Sequence, residues 1–176
     1  MVGRNAGKDE EFDAFVRGCS TRLLRAAWLL VSEQQAAEDL LQDVLVKIYF
    51  AWGRIETNPE AYARRALVRQ AINRHRYRKR RPESVARYGV ERAMPDIAEG
   101  IALQHSVVAA LRDLPPRQRA AVVLRYFEDL PEADAAAVLG CSCGTVRAHA
   151  SRGLARLRAA LTTDDAGSER TAEVAC

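Results

Sequence analysis

Residues 130–161 read LPEADAAAVLGCSCGTVRAHASRGLARLRAAL, and no other part of the chain constrains the architecture so closely. The pattern predicts a short, alanine-rich helix over residues 131–139, a turn at 140–142 and a longer helix over 143–161. Gly140 suits the left-handed conformation that ends a helix, and Ser142 is a good N-cap for the next one. Two helices joined by so short a turn have the spacing of a helix-turn-helix.

The longer of these two helices has two distinct faces. Its apolar positions recur at helical spacing: Val146, Ala150, Gly153, Leu154, Leu157 and Leu161. The opposite face carries short or basic side chains that fit a DNA major groove: Gly144, Thr145, Arg147, Ala148, Ser151 and Arg152. Residues 126–143 hold four acidic groups and no Lys or Arg, whereas residues 144–161 hold four Arg and no acids. An ordinary helical hairpin with a solvated basic face is the alternative, and this segregation of charge argues against it.

The remainder of the chain also has helical periodicity, and no strand pattern is present. Helices are expected over residues 10–30, 32–52, 59–80, 103–114 and 117–127, with Ser32 as the N-cap of the second. Asn58 is a good N-cap for the third, and Pro59 suits its first position. The predicted fold is all-α, with two small helical domains at residues 10–81 and 103–162. A flexible linker over 82–102 joins them, and residues 163–176 are expected to form a disordered tail.

A basic run occupies residues 64–81, which carry nine Lys or Arg and no Asp or Glu. Such a block indicates a polyanionic partner, because basic side chains bind phosphates by attraction and counterion release. Polar and aromatic groups suited to unstacked bases lie nearby: Thr57, Asn58, Tyr62 and Asn73. A charge run alone is usually a solvated face, but a second DNA-binding module farther along the chain favours the functional interpretation. A membrane-surface role is disfavoured, since the apolar stripe of this helix lacks large residues.

The second helix has an acidic edge formed by Asp39, Gln42 and Asp43, beside a leucine, Leu40, that is expected to be exposed. This edge is a candidate protein-docking surface. The alternative is an ordinary solvated face.

Composition bounds the class of protein. The 176 residues are 48% hydrophobic and 28% charged, which are globular values. No apolar run approaches the roughly 20 residues of a membrane span, and the polar N-terminus lacks a secretory signal. The chain is therefore expected in the cytoplasm. In that reducing compartment, its cysteines are expected to be free thiols. Cys141-x-Cys143 with His149 is too tightly spaced for a typical zinc site. No catalytic triad, phosphate-binding loop or convincing carboxylate pair occurs, so neither an enzyme nor a cofactor is predicted.

Four segments, taken in order, resemble the extracytoplasmic-function sigma factors of bacterial RNA polymerase. Within that family, they are most similar to the SigE-like actinobacterial group. AEDLLQDVLVKIY at 37–49 with Trp52 is similar to region 2.2, and residues 59–81 resemble regions 2.3 and 2.4. LPPRQR at 114–119 through LRYFEDL at 124–130 resembles region 4.1. LGCSCGTVR at 139–147 through RGLARLR at 152–158 resembles region 4.2, so the resemblance covers residues 10–161.

The resemblance implies a promoter-recognition role with named surfaces. The partners it implies are promoter DNA and core RNA polymerase, which is bound through the β′ clamp helices and the β flap. An anti-sigma factor is a further partner compatible with the resemblance. The residues that match the core-binding surface are Asp39, Leu40, Gln42 and Asp43. The loop Glu56, Thr57 and Asn58 matches the capture of a flipped −10 base. The residues that match the −10 helix are Tyr62, Arg65, Arg69, Asn73 and Arg76. The −35 reading face matches Gly144, Thr145, Arg147, Ala148, Ser151 and Arg152.

Two other functions stay open from the residues alone. One is a stand-alone helix-turn-helix regulator that binds an operator as a dimer. The other is an adaptor that binds polymerase or a regulator and never reads DNA, which leaves both basic faces unexplained.

Overall fold

The protein is described by a computed structural model that covers residues 3–55, 58–80 and 101–173, with side chains over 7–55, 58–77 and 106–162. The chain divides into two compact units, Met1–Arg87 and Tyr88–Cys176. Within the described ranges all regular structure is helical, which confirms the all-α prediction. The expected linker falls almost wholly on residues 81–100, outside the described residues.

The first unit is a packed set of three helices: α1 (Gly3–Val31), α2 (Gln34–Ala51) and α3 (Pro59–Arg80). Each of them contacts the other two. Their apolar stripes meet in a core of fully or almost fully buried side chains: Leu23, Ala27, Leu40, Val44, Ile48, Ala63 and Leu67. A short 3-10 turn, Trp52–Arg54, follows α2. Asn58 caps α3 as predicted, since its Oδ1 accepts the backbone N–H groups of Glu60 at 2.9 Å and Ala61 at 3.3 Å.

The junction of α1 and α2 corrects one prediction. Ser32 does not cap α2, whose N-cap is Glu33 without a side-chain cap hydrogen bond. Ser32 instead ends α1 in the left-handed region, with φ 58°, and its backbone N–H donates to the Trp28 carbonyl at 2.6 Å. The serine therefore closes the preceding helix rather than opening the next one.

The second unit is built on α7 (Cys143–Glu173), which contacts α4 (Ile101–Arg112), α5 (Pro116–Val122) and α6 (Glu132–Leu139). A π-helical turn, Val123–Phe127, continues α5. Among its buried side chains are Leu111, Ala121, Val122, Ala135 and Val146.

One charged side chain belongs to the core of this second unit. Arg119 is 6% exposed, and its Nη2 donates to the carbonyl of Leu114 at 3.2 Å and to that of Arg112. Burial lowers the pKa of Arg119. The guanidinium therefore satisfies carbonyls at the end of α4 that the helix leaves open.

The end of the chain differs from the sequence prediction. α7 runs to Glu173, whereas a helix to about Leu161 and a disordered tail over 163–176 were expected. The sequence after Leu161 contains no proline, and the Thr162 hydroxyl donates back to the carbonyls of Arg158 and Ala159 at 3.0 Å. The polar composition that suggested a tail does not interrupt the backbone hydrogen bonds of a helix.

Candidate nucleic-acid and protein interfaces

The exposed face of α3 is basic and carries charge that no described side chain neutralises. Five predicted residues recur at intervals of three or four along it, and all are exposed: Tyr62, Arg65, Arg69, Asn73 and Arg76. No ion pair to Arg65, Arg69 or Arg76 occurs within the described part of the chain. Two other arginines of α3 differ, since Arg64 pairs with Glu60 and Arg74 pairs with Asp43. The free guanidiniums make this face suited to phosphates.

The loop before α3 is only partly described. Glu56 and Thr57 lie outside the described residues, so their predicted role stays a prediction. Asn58 is exposed, and its Oδ1 is already used in the helix cap. Only the side-chain NH₂ group of Asn58 therefore stays available to a base.

The acidic edge of α2 agrees with the sequence prediction at three positions and differs at one. Asp39, Gln42 and Asp43 are exposed. Leu40 is 0% exposed, because it lies on the buried stripe with Val44 and packs in the core of the first unit. Leu40 therefore offers no side-chain surface to a partner, and the prediction that it is exposed is wrong.

Asp43 is held in place by α3. The Nη2 of Arg74 donates to its Oδ2 at 2.9 Å, and the Nη1 of Arg74 donates to the Ala36 carbonyl at 3.0 Å. One arginine thus ties the acidic edge of α2 to the helix that carries the basic face.

An apolar groove beside the acidic edge was not predicted. It lies between α1 and α2, has a volume of about 440 Å³ and is lined mainly by Phe12, Leu24, Leu41, Leu45, Val46, Tyr49 and Phe50. Val46 is 49% exposed and Phe50 is 76% exposed. Large exposed apolar side chains in one patch mark an interaction surface. The sequence did contain a signal, because Val46 and Phe50 follow Gln42 at intervals of four, off the buried stripe.

Aromatic rings support one wall of this groove. Phe12 of α1 packs edge-on against Tyr49 and Trp52, with ring centroids 5.2 and 5.3 Å apart. The Tyr49 hydroxyl donates to the Oδ1 of Asp9 at 2.8 Å, and this bond raises the pKa of Tyr49. The wall is thus fixed by packing and by a polar anchor at its edge.

The helix-turn-helix forms as predicted. Gly140 adopts φ 63° after α6, and the Oγ of Ser142 accepts the backbone N–H of Thr145 at 3.2 Å. Of the residues expected to face DNA, Gly144, Arg147, Ser151 and Arg152 are exposed. The other two, Thr145 and Ala148, are half-buried. The Thr145 hydroxyl is 2.9 Å from the Oγ of Ser142, so it takes part in the cap.

Arg147 is engaged by an acidic side chain of α6. Its Nε donates to the Oε1 of Glu132 at 3.2 Å, and its Nη2 donates to the Oε2 at 2.8 Å. The hydrogen bond lowers the pKa of Glu132 and raises that of Arg147. A cleft of about 260 Å³ adjoins this pair, and its other polar lining residues are Arg125, Tyr126, Ser151 and Arg158. The sequence prediction named Arg147 and Ser151 but missed Glu132 and the rest of the cleft.

No metal site is evident in the described ranges. Cys141 is half-buried and Cys143 exposed, and neither forms a disulfide. No group of three His, Cys, Asp or Glu there could hold an ion.

The Nδ1 of His149 is buried without a hydrogen-bond partner in the described part of the chain. Burial lowers the pKa of His149, and the charges of Arg152 and Arg117 lower it further. No described helix is long and apolar enough to span a membrane.

Comparison with known proteins places both units in one family. The family model "Sigma-70 region 2" matches residues 15–81, and "Sigma-70, region 4" matches residues 104–157. The RNA polymerase sigma-E factor of Streptomyces coelicolor is 37% identical over 161 residues, covering 90% of each chain. The ECF RNA polymerase sigma factor SigM of Mycobacterium tuberculosis is 31% identical over 161 residues, covering 89% of this chain and 80% of the relative.

A solved structure supports the same relationship. The sigma factor RpoE of Bartonella quintana, crystallised with the anti-sigma factor NepR, has a TM-score of 0.68 and 27% identity. The alignment covers 88% of this chain and 99% of that one.

Proposed function

The chain belongs to the extracytoplasmic-function group of the sigma-70 family of RNA polymerase sigma factors, and we propose how its surfaces divide the work of promoter-specific initiation. It directs core RNA polymerase to promoters. The first unit docks on the core and binds the −10 element, and the second binds the −35 element. The observation that carries this assignment is that each unit presents its own basic helical face. The protein acts without catalytic residues of its own, in the cytoplasm where polymerase and DNA are found.

We place core docking on α2. The acidic edge of Asp39, Gln42 and Asp43 lies beside the apolar groove that includes Val46 and Phe50. A polar rim next to an apolar centre is the usual anatomy of a protein interface. Leu40 is left out of this surface because its side chain is buried.

We place −10 binding on α3 and on the loop before it. Arg65, Arg69 and Arg76 supply unpaired charge for phosphates, and Tyr62, which is 43% exposed, offers a ring on which a base can stack. Glu56, Thr57 and Asn58 complete the proposed pocket for a flipped base.

We place −35 reading on the first turns of α7. The proposed contacts are Gly144, Thr145, Arg147, Ala148, Ser151 and Arg152. Gly144 and Ala148 keep this face short, so that backbone and side chains can approach base edges. An anti-sigma protein is a further proposed partner, since the Bartonella quintana relative was solved with one.

Binding of the labelled full-length chain to core polymerase tests the docking surface. We expect Val46→Asp to weaken binding about tenfold or more, as changes at the centre of an interface do, and Asp39→Ala at the polar rim to weaken it a few-fold. Asp113→Ala, which removes an exposed acid from the second unit, is the matched control and should bind normally. Equal affinity for all four proteins would contradict the docking surface.

Binding of the reconstituted holoenzyme to promoter DNA tests the basic face of α3. Arg69→Ala should weaken binding across sequences and lower the salt dependence by about one counterion. Arg25→Ala, which removes an exposed charge from α1, should leave both unchanged. Tight binding of duplex DNA by the chain without core would instead favour the operator-binding regulator.

A further inference from the structure

Glu132 lies where an acid is unexpected, beside a surface proposed to bind DNA. It begins α6 directly after Pro131, and the packing of α6 on α7 brings its carboxylate to Arg147. The Arg147 side chain is 72% exposed, and the Glu132 side chain is 32% exposed. Ion pairs so open to water contribute little to stability, so the pairing itself adds little to folding.

The geometry of the pair leaves one edge of the guanidinium free. Glu132 accepts from Nε and Nη2, which form the side edge of the group. A guanidinium has five N–H donors, so both hydrogens of Nη1 and one of Nη2 stay available. The Nη1 and Nη2 atoms form the end of the guanidinium. Two such donors can hydrogen-bond to the O6 and N7 atoms of guanine.

We infer that Glu132 is a positioning residue that holds Arg147 for end-on reading of a guanine in the −35 element. The inference rests on the proposed function of α7. Without the carboxylate, Arg147 rotates about its long aliphatic chain and must be ordered when DNA binds. With it, the guanidinium is already oriented, and the donors at its end stay free.

Positioning and competition predict opposite results. A carboxylate that merely competed with DNA for Arg147 would lower the guanine preference, and one that only repelled phosphates would weaken every promoter alike. A carboxylate that orients Arg147 raises the preference for one base pair and leaves the other positions alone. The measured quantity must therefore be base preference at each position, since overall affinity would not separate the two roles.

Selection from a promoter library randomised over the −35 element, with holoenzyme reconstituted from core and the full chain, tests the inference. We expect Arg147→Ala to abolish a guanine preference at one position. Glu132→Gln should reduce that same preference about fivefold, a part of what a bidentate contact supplies. Glu132→Gln added to Arg147→Ala should change nothing further. Glu132→Asp, which keeps the charge on a shorter arm, should retain part of the preference.

Asp134→Asn is the matched control, because it removes one charge from the same first turn of α6. It should leave every preference unchanged, and all variants should melt close to the wild type. An unchanged preference in Glu132→Gln would overturn the inference, as would a rise in preference, a uniform change at all positions, or an Arg147→Ala selection that matches the wild type. A wild-type protein that selects no −35 sequence at all would instead remove the proposed function.

Discussion

The absence of a side chain at Gly153 sets how closely α7 approaches α5. A Cβ built there would lie 2.6 Å from the Cγ2 of Val122 and 3.2 Å from the carbonyl oxygen of Gln118. Val122 is fully buried and its branched side chain is stiff, so it has little room to yield. The glycine thus serves packing, although it lies on the helix that carries the proposed −35 reading face.

Gly153→Ala should therefore destabilise the second unit despite the better helix propensity of alanine. Overpacking costs about 1–3 kcal/mol, against about 1 kcal/mol gained from propensity. Hydrogen exchange should show faster exchange of the α5 and α7 amides, with α1–α3 unchanged. Gly144→Ala is the matched control, since its Cβ would meet only the Oγ of Ser142 at 3.9 Å. Equal protection in both variants would contradict the close-approach argument.

His149 links the stability of the second unit to pH. Its pKa is lowered from the ordinary 6.5, chiefly because burial disfavours the charged imidazolium. Its stabilising contribution is then present above the unfolded pKa and is lost as pH falls through the folded pKa. Denaturant unfolding at a series of pH values should show stability falling below about pH 6.5, with a shallower fall in His149→Gln. Parallel curves for the two proteins would contradict this account.

The side chain of Arg74 links α2 and α3, the two helices of the first unit that are proposed to bind the polymerase core and DNA. Arg74→Gln removes the bonds to Asp43 and to the Ala36 carbonyl, so we expect the free energy of unfolding to fall by about 0.5–1.5 kcal/mol. Core affinity should fall a few-fold as Asp43 loses its anchor. Arg76→Gln, two residues along the same helix, should keep stability and core affinity but weaken DNA binding. Identical behaviour of the two variants would show that Arg74 is only another surface charge.

Helix existence and several helix ends could be predicted from the sequence. Three of these helix ends depend on hydrogen bonds or backbone conformation within a few residues, at Asn58, Gly140 and Ser142. Their roles could therefore be predicted from the sequence alone. Ser32 was misjudged because a serine between two helices can end one or begin the next, and only the backbone conformation decides.

The functional faces were harder to predict than the helices. The consecutive leucines Leu40 and Leu41 are both buried, because α2 packs against both α1 and α3, and periodicity alone does not show this. The apolar groove needs α1 and α2 together, because Phe12 and Phe50 are 38 positions apart in sequence. The pairing of Glu132 with Arg147 likewise depends on how α6 packs on α7. Both features depend on the packing of one helix on another, which local sequence patterns do not contain.

The molecule as a whole has its two proposed DNA-binding faces in separate compact units of one chain. Linking two modules converts the second binding event into an intramolecular one, so each face gains from the other. Arg69 and Arg147 lie in different units and share no partner, so their effects should be independent. We expect the losses in promoter-binding free energy of Arg69→Ala and Arg147→Ala to add, within about 0.5 kcal/mol, in the double variant. Titrations of holoenzyme with one promoter would measure this, and a double variant no worse than either single one would contradict it.

Run-off transcription by core RNA polymerase on a pool of genomic fragments, with and without this chain, tests whether the protein is a promoter-specificity factor. The account predicts initiation at sites sharing −35 and −10 elements only when the chain is present. It also predicts loss of that initiation with Asp39→Ala and Val46→Asp together, and with Arg147→Ala, but not with the control Arg25→Ala, which removes an exposed charge from α1. Absence of any chain-dependent start site, with core that is active on other templates, would contradict it.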